Sequence, residues 1–302
     1  MADNITRTMI LDQQQLRLLS ERSDKHGIVH LAGHLALLLV TGLLIHASLG
    51  HWYLLPAMLL HGIVLIFLFT PLHESIHRTA FASRWLNDGI GFAIGCLLLL
   101  PRDYFRAFHF THHRFTQDPA RDPELASPKP TNLRQWLFHV SGLPYWIGQS
   151  RGLIAAALGR TPVSFYSNDR QRQDVVREAR LILAIYAAIL VLSVVTQSWL
   201  AVIYWLLPAL LGQPCLRLYL LAEHSLCPET DDMLSNSRTT YTNAIIRFIA
   251  WNMPYHIEHH AYPSVPFHAL PELNRLISSE LKTTAPGYLA VHRQILHTFR
   301  AG

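Results

Sequence analysis

Four long apolar segments dominate the chain, and polar regions flank them. The segments are residues 28–48, 52–72, 181–196 and 199–221. An α-helix rises about 1.5 Å per residue and a bilayer core is about 30 Å thick, so segments of this kind are typical of membrane-spanning helices. Very short connections join the first segment to the second and the third to the fourth. The pattern therefore predicts two helical hairpins.

Two further apolar stretches have a different interpretation. Residues 89–100 are too short to cross a bilayer, and we expect them to dip into its interface or to pack against the helices. Residues 133–159 mix apolar positions with Trp136, Tyr145 and Trp146, which is typical of a helix pair in the headgroup region. The whole pattern predicts an all-α membrane protein with one domain.

Composition favours the membrane class, and charge predicts the orientation. Half of the residues are hydrophobic and only 15% are charged, which is unusual for a soluble domain. Neither hairpin connection contains any of the 25 lysines and arginines. The positive-inside rule therefore places both termini and the regions 1–27, 73–180 and 222–302 in the cytoplasm. The polar residues 1–26 show no secretory signal.

Composition also disfavours two kinds of function. The three cysteines are scattered and lack a CxxC spacing, which argues against a disulfide framework and against a thiolate zinc site. The basic clusters have no interleaved aromatic residues of the kind that bind nucleic acid, so we expect no nucleic-acid partner. The high number of histidines, 19, is the unusual feature of the composition.

Many of the histidines occur in three short motifs. These are HESIH at 73–77, HFTHH at 109–113 and HIEHH at 256–260. The spacings i, i+4 and i, i+3, i+4 place the imidazoles of each motif on one helical face. We expect Asn252 to cap the helix of the third motif, Pro254 to lie in its first turn and Pro263 to end it.

The predicted topology brings all three motifs to the cytoplasmic face, together with the histidine at the end of the fourth segment. Nine imidazoles then converge, and they are too many for one tetrahedral ion, so we predict a cytoplasmic helical cap with a histidine-rich site for two metal ions. The nine are His73, His77, His109, His112, His113, His224, His256, His259 and His260. Imidazole binds iron, copper and zinc, so the ligand type does not choose the metal.

Carboxylates near these motifs are candidates for orienting the ligand histidines through their second ring nitrogen. We favour Asp118 and Asp122, because both lie close behind the second motif. The other candidates are Glu74, Glu223, Asp231 and Glu258.

The three motifs, in this order, resemble the histidine boxes of the integral-membrane fatty acid desaturase family. The resemblance covers roughly residues 27–270 and includes Gln117-Asp118-Pro119, Asp122-Pro123-Glu124 and Tyr262-Pro263. It implies a non-haem di-iron centre, O2 as co-substrate and a lipid-like substrate. The ninth ligand departs from the acyl-CoA desaturases, which use an Asn-xxx-His element, since position 220 is Leu before His224.

The resemblance implies O2-dependent desaturation of a fatty acyl chain, which requires electrons. The chain shows no haem-binding, flavin or dinucleotide-binding signature, so we expect an external donor with its reductase. A ferredoxin, a rubredoxin or a cytochrome b5-like protein would suit the basic cytoplasmic surface. The same superfamily contains membrane hydroxylases and ketolases, so hydroxylation or ketolation of an acyl, alkyl or terpenoid substrate is the alternative.

Other interpretations of single features remain open. HESIH also matches the H-E-x-x-H pattern of zinc metalloproteases, with Glu74 as base, and a membrane zinc site or transporter without redox chemistry is a more remote alternative. Arg217 and Tyr219 in the fourth segment either meet a substrate headgroup or, as we favour, reach the interface. We interpret the remaining histidines, including His30, His34 and His61, as structural.

Overall fold

Each predicted apolar segment lies on a long helix in the structure, a computed structural model that describes residues 10–161, 166 and 168–301. The four helices that are long and apolar enough to cross a membrane are Asp24–Ala47, Leu54–His77, Asp169–Val195 and Val202–His224. The parts of the predicted cytoplasmic regions at 1–9, 162–165, 167 and 302 lie outside the described residues. The orientation in the membrane, the arrangement in two hairpins and the cytoplasmic cap stay predictions.

In chain order, the α-helices are α1 (Gln13–Leu19), α2 (Asp24–Ala47), α3 (Leu54–Ile66), α4 (Phe69–His77), α5 (Arg84–Leu97), α6 (Arg102–Phe115), α7 (Leu133–Val140), α8 (Leu143–Ala157), α9 (Asp169–Val195), α10 (Leu207–His224), α11 (Ala244–Ile249), α12 (His256–Ala261), α13 (Leu270–Ile277) and α14 (Tyr288–Ala301). A π-helical turn at Val202–Leu206 leads into α10, and short 3₁₀ turns occupy Pro123–Ala126 and Ser278–Glu280. Two short parallel strands, β1 (Thr239–Thr240) and β2 (Thr284–Ala285), pair with each other.

Helices α3 and α10 cross closely at the centre of the molecule. A Cβ atom added at Gly62 would overlap the backbone of Pro208, and one added at Gly212 would overlap the backbone of Gly62. Small residues of this kind let helix backbones approach in apolar surroundings. Helix α2 packs on the other side of α3, whereas α9 packs mainly on α8 and α6. The α3–α10 pair therefore supports two histidine-bearing segments. Helix α4, with the first motif, follows α3, and α10 itself ends at His224.

The segments that carry the first and second motifs have defined ends. Helix α4 continues the second apolar helix and ends at Arg78, which adopts a left-handed conformation with φ of 60°. Helix α6 begins after Pro101, and its first backbone N–H groups, those of Arg102 and Asp103, donate to the carboxylate of Glu178 in α9. This contact satisfies N–H groups that have no partner within the helix, and it fixes α6 against α9.

The predicted start of the third-motif helix is wrong. Asn252 does not cap it, because α12 begins at His256 after a turn that contains Asn252 and Pro254. Asn252 has a left-handed φ of 57°, and its Nδ2 donates to the carbonyl of Phe267. The side chain thus ties the turn to the segment after α12. The helix ends at Ala261, as Pro263 predicts.

Candidate metal centre

The structure brings all nine candidate histidines together, at the meeting point of four helices. They come from α4, α6, α12 and the last residue of α10. The ligand atoms of His73, His77, His109, His113 and His259 lie within 4.8 Å of one another, and we call these residues the five-histidine group. Those of His112, His224 and His260 meet the same limit, and His256 joins them through a 2.9 Å contact between its Nε2 and that of His224. We call these residues the four-histidine group.

The contacts within the five-histidine group are those of converging ligands. The Nε2 of His109 lies 2.7 Å from that of His73 and 2.9 Å from that of His113, which in turn lies 3.0 Å from that of His259. Each ring nitrogen carries one proton or one lone pair, so the nitrogens in the middle of this row cannot complete two ordinary hydrogen bonds. Nitrogens at about 2.1 Å from a shared ion, at right angles to each other, lie about 3 Å apart. The spacing fits a bound metal.

Three members of the four-histidine group have acceptors for their second ring nitrogens. His112 Nδ1 lies 2.9 Å from the Asp122 carboxylate, and His224 Nδ1 lies 3.4 Å from the carbonyl of Asn236. His260 Nδ1 lies 3.3 Å from the hydroxyl of Thr116, whereas His256 Nδ1 lies 3.4 Å from Glu223 without a hydrogen bond. Acceptors at Nδ1 fix the tautomer and turn the Nε2 lone pair toward the ion. Three of the four rings in this group are therefore oriented by polar contacts.

The five-histidine group lacks such support within the described residues. The Nδ1 atoms of His73, His109, His113 and His259 are buried and have no hydrogen-bond partner there. Their rings are held by packing instead, for example by Phe105 against His73 and His109. His77 and His113 are half-buried, whereas all four members of the other group are buried. The two groups touch where the rings of His113 and His260 stack, with centroids 4.2 Å apart.

Burial keeps most of these imidazoles neutral, which is the form that binds a metal. It lowers the pKa of His109, His113, His256, His259 and His260 well below the ordinary value. For His112, burial also acts to lower the pKa, but the carboxylates of Glu124 and Asp122 outweigh it and raise the pKa. The electrostatic field at the His112 ring therefore favours positive charge. The same field favours a bound cation.

The carboxylates predicted to orient histidines divide into two sets. Asp122 lies at hydrogen-bond distance from His112 Nδ1, and Glu223 lies near His256 Nδ1 without a hydrogen bond. Asp118 was wrongly favoured, because its carboxylate bonds to Arg121 and to the backbone of Ala120.

The remaining candidates also have other partners. Glu74 accepts the backbone N–H of Phe267, Glu258 accepts hydrogen bonds from Thr239 and Asn274, and Asp231 contacts Thr230. Glu74 and Glu258 are fully buried anchors for the segments that carry the first and third motifs.

Three further residues contribute to the site, and we assigned none of them a role from the sequence. Thr116 supports His260, and Lys129 donates to Gln117 and to the carbonyl of His224. Gln117 also donates to that carbonyl and to the carbonyl of Asn236. The signal for Thr116 was its place directly behind the second motif, and that for Gln117 was its place in the Gln117-Asp118-Pro119 segment of the family resemblance. Lys129 gave no signal, since its role depends on the fold of the loop.

The histidines that we interpreted as structural contact backbone carbonyls or a hydroxyl of other segments. His30 Nε2 lies 2.8 Å from the carbonyl of Phe248, and His34 Nε2 lies 2.8 Å from that of Val64. His61 lies between Thr41 and the carbonyl of Tyr204. These contacts join helices to one another, so they account for the three residues without a ligand.

A cavity of about 520 Å³ lies against the metal centre. Five of the nine histidines line it, and they belong to both groups: His73, His109, His112, His224 and His256. Much of the rest of its wall is apolar and includes Phe69, Phe105, Phe108, Leu220 and Met253. This volume lies in the range of small-molecule sites. An apolar substrate in this cavity would contact the ligands of both metal positions.

A sequence profile described as Fatty acid desaturase matches residues 50–292 of the chain. The chain belongs to the fatty acid desaturase family. This confirms the resemblance that the three histidine boxes indicated. The protein is accordingly an oxidoreductase with four apolar helices and a histidine cluster compatible with a metal site.

Individual relatives carry related names. The sphingolipid delta(4)-desaturase DES1 of Drosophila melanogaster is 26% identical over 274 residues, which cover 89% of this chain and 79% of the relative. The sphingolipid delta(4)-desaturase/C4-monooxygenase DES2 of Rattus norvegicus is 26% identical, with 76% and 67% covered. An sn-1 oleoyl-lipid 12-desaturase of Picosynechococcus is 25% identical, with 53% and 48% covered. These relatives favour lipid desaturation over the alternatives.

Proposed function

We propose that the protein desaturates a lipid-like acyl substrate at a di-iron centre held by the nine histidines, with O2 as oxidant and electrons from a separate protein. One observation carries the proposal: nine imidazoles divide into groups of five and four beside an apolar cavity. Zinc sites use three or four ligands, so a group of five favours a metal with a higher coordination number. The named desaturase relatives support the lipid-like substrate.

Iron would supply the redox chemistry that O2 reduction and C–H cleavage require. The overall reaction takes two hydrogens from neighbouring carbons and consumes O2, two electrons and two protons, and it yields a double bond and two molecules of water. The residues of the chain do the positioning. Asp122 orients the ring of His112, and Phe69, Phe105 and Met253 exclude water from the acyl chain.

The rival zinc-protease interpretation of HESIH gains no support from the geometry. A general base must reach the water on the metal. The carboxylate of Glu74 is fully buried and accepts the backbone N–H of Phe267, and it therefore anchors the segment that follows α12. We propose that Glu74 is a structural residue of the desaturase.

An arginine-rich groove lies beside the five-histidine group and supports the proposal of an external electron donor. It begins at Arg78, which directly follows His77, and it includes Arg106, one turn before His109. The six arginines of its lining are Arg78, Arg84, Arg102, Arg106, Arg170 and Arg177. Four carboxylates, those of Asp88, Asp103, Asp174 and Glu178, line it too, so the lining has a formal excess of two positive charges. A ferredoxin, rubredoxin or cytochrome b5-like protein with an acidic surface fits this charge. We place the groove and both termini in the cytoplasm.

Metal analysis combined with product mass tests the proposal. Protein loaded with iron under anaerobic conditions should contain two irons per chain and should give, with O2 and reductant, a product lighter by two hydrogens. Stoichiometric zinc without iron after the same loading would contradict it. A product with one added oxygen would instead assign the hydroxylase alternative, which the double name of the rat relative makes worth measuring.

A further inference from the structure

One arginine, Arg217, lines the cavity. This residue lies on α10, seven positions before His224, and its side chain lines the same cavity as His112, His224 and His256. Seven residues of an α-helix correspond to about 10 Å along the axis, or two turns. A charged group therefore sits at a fixed, short distance from the metal centre, although the surrounding helix is largely apolar.

The guanidinium of Arg217 is held by an aromatic ring. Its Cζ lies 4.5 Å from the centroid of Tyr145, and the Tyr145 hydroxyl donates to the carbonyl of Leu98 at 2.9 Å. Burial raises the pKa of Tyr145 to about 12, so the ring stays neutral and the hydroxyl keeps its proton. The contact fixes the position of the cation but supplies no hydrogen-bond acceptor. This arrangement is not the reach to the interface that we favoured from the sequence.

The charge of Arg217 has no ion-pair partner among the described residues. Its Nε is buried and makes no hydrogen bond there. The two nearby carboxylates are directed to ligand histidines: Glu124 lies 3.8 Å from His112 Nδ1, and Glu223 lies 3.4 Å from His256 Nδ1. An arginine has five donors and stays charged, so the guanidinium of the half-buried Arg217 is able to bind an anion in the cavity.

A second cation lines the cavity. The Nζ of Lys129 donates to the side chain of Gln117 and to the carbonyl of His224, both at 2.9 Å. Neither acceptor carries a negative charge. Three carboxylates also line the cavity, and each lies near a ligand histidine: Asp122 and Glu124 near His112, and Glu223 near His256.

We propose that Arg217 binds an anionic end group of the substrate, a carboxylate or a phosphate, inside the cavity. The inference rests on the proposed function and adds the substrate class. With the anion held two helical turns from His224, the carbons that reach the metal centre lie at a constant distance from the charged end. Arg217 is then the positioning residue that determines where along the acyl chain the double bond forms.

Ligand binding by the full-length protein in detergent tests the proposal. Calorimetry would compare a saturated fatty acid, its methyl ester and an alkyl phosphate of matched length. The anions should bind about 10- to 100-fold more tightly than the ester, as expected for a hydrogen bond between charged groups. The stronger of the two anions identifies the end group. Equal affinity for the ester and both anions would overturn the proposal.

Variants separate this role from a general effect on folding. Arg217→Gln should remove most of the preference for the anion, Arg217→Lys should retain part of it, and the ester should bind nearly as before. Arg151→Gln is the matched control, because Arg151 is exposed on α8 and does not line the cavity. An equal loss of affinity for acid and ester in Arg217→Gln would overturn the proposal. Should that variant not fold, the preference of the native protein decides.

Turnover distinguishes failure of this inference from failure of the proposed function. In iron-loaded protein, Arg217→Gln should lower kcat/KM for the acid about 10- to 100-fold, leave the iron content unchanged and give a mixture of double-bond positions. An unchanged single position would overturn the positioning role. If native protein binds anions but desaturates none of the ligands, the proposed function fails while the anion site stands.

Discussion

The two histidine groups differ in what surrounds them, although both consist of imidazoles. The four-histidine group is buried, and Asp122, Thr116 and the carbonyl of Asn236 lie at hydrogen-bond distance behind three of its rings. Behind the fourth ring, His256, Glu223 lies at 3.4 Å without a hydrogen bond. In the five-histidine group, four Nδ1 atoms are buried without a partner among the described residues, and the arginine-rich groove starts at its edge. One group is oriented by polar contacts, and the other by packing.

The difference suggests a division of labour within one centre. Carboxylates behind ligand histidines make the ligands more basic and fix their direction, so we expect the four-histidine group to hold its ion more tightly. The five-histidine group has one more ligand but less orientation, and it lies next to the surface that we propose for the electron donor. The following changes test this contrast, in order of decreasing expected effect.

Removal of one ligand from each group should give the largest effect. His109→Ala and His112→Ala should each lower activity by at least about 100-fold, because a ligand matters more than the partner behind it. Each should lose mainly the iron of its own group, which metal analysis would show. His297→Ala, at an exposed position of α14, is the control. Complete loss of both irons in either variant would mean that the groups are not separate sites.

Replacement of the carboxylate behind His112 should give the next largest effect. In Asp122→Asn, the side chain loses its charge at the 2.9 Å contact with Nδ1, and iron affinity should fall about 10- to 100-fold in a chelator competition. Asp118→Asn is the matched control, since Asp118 contacts Arg121 and no histidine. Equal losses in the two variants would refute the special role of Asp122.

A smaller effect is expected at Thr116. Its hydroxyl donates to the carbonyl of His112 at 2.8 Å and can accept from His260 Nδ1, which leaves Nε2 free for the ion. Thr116→Val keeps the shape but removes a hydrogen bond worth about 0.5–1.5 kcal/mol, so iron affinity should fall about 2- to 10-fold. Thr111→Val is the control, because that hydroxyl donates only to Ala107. Similar losses in both variants would contradict the prediction.

The smallest effect concerns the groove beside the five-histidine group. Arg84→Glu changes a side chain that is 73% exposed, and it should raise KM for an acidic electron donor several-fold at low salt. The effect should shrink as salt screens the charges, and it should vanish when a small chemical reductant replaces the donor. Arg293→Glu, exposed on α14 and outside the groove, should change KM little. An effect independent of salt would locate the donor elsewhere.

Hydropathy predicted the four long helices but not where they end. The third segment was predicted from residue 181, whereas α9 begins at Asp169, and the second continues through α4 to His77. Apolar runs mark only the part of a helix that suits lipid. The polar extensions follow from packing between segments distant in sequence, such as Glu178 against the start of α6.

Helical spacing predicted which histidines gather, and it failed where the backbone leaves the helix. Asp118 and Asp122 both follow the second motif, but α6 ends at Phe115, so the loop alone decides that Asp122 reaches His112. Asn252 has a good capping side chain, yet its bond to the carbonyl of Phe267 takes precedence. The carbonyl of Asn236 has no sequence signature, because every residue carries one.

The position of the third motif near the end of the chain has a consequence for biosynthesis. When all four apolar helices have emerged from the ribosome, the five-histidine group still lacks His259, and the four-histidine group lacks His256 and His260. If the protein binds iron as proposed, neither group is complete until the segment after the four helices has been synthesised. A chain truncated before α12 should reach the membrane with neither group complete, so we expect iron loading to be a late step of maturation.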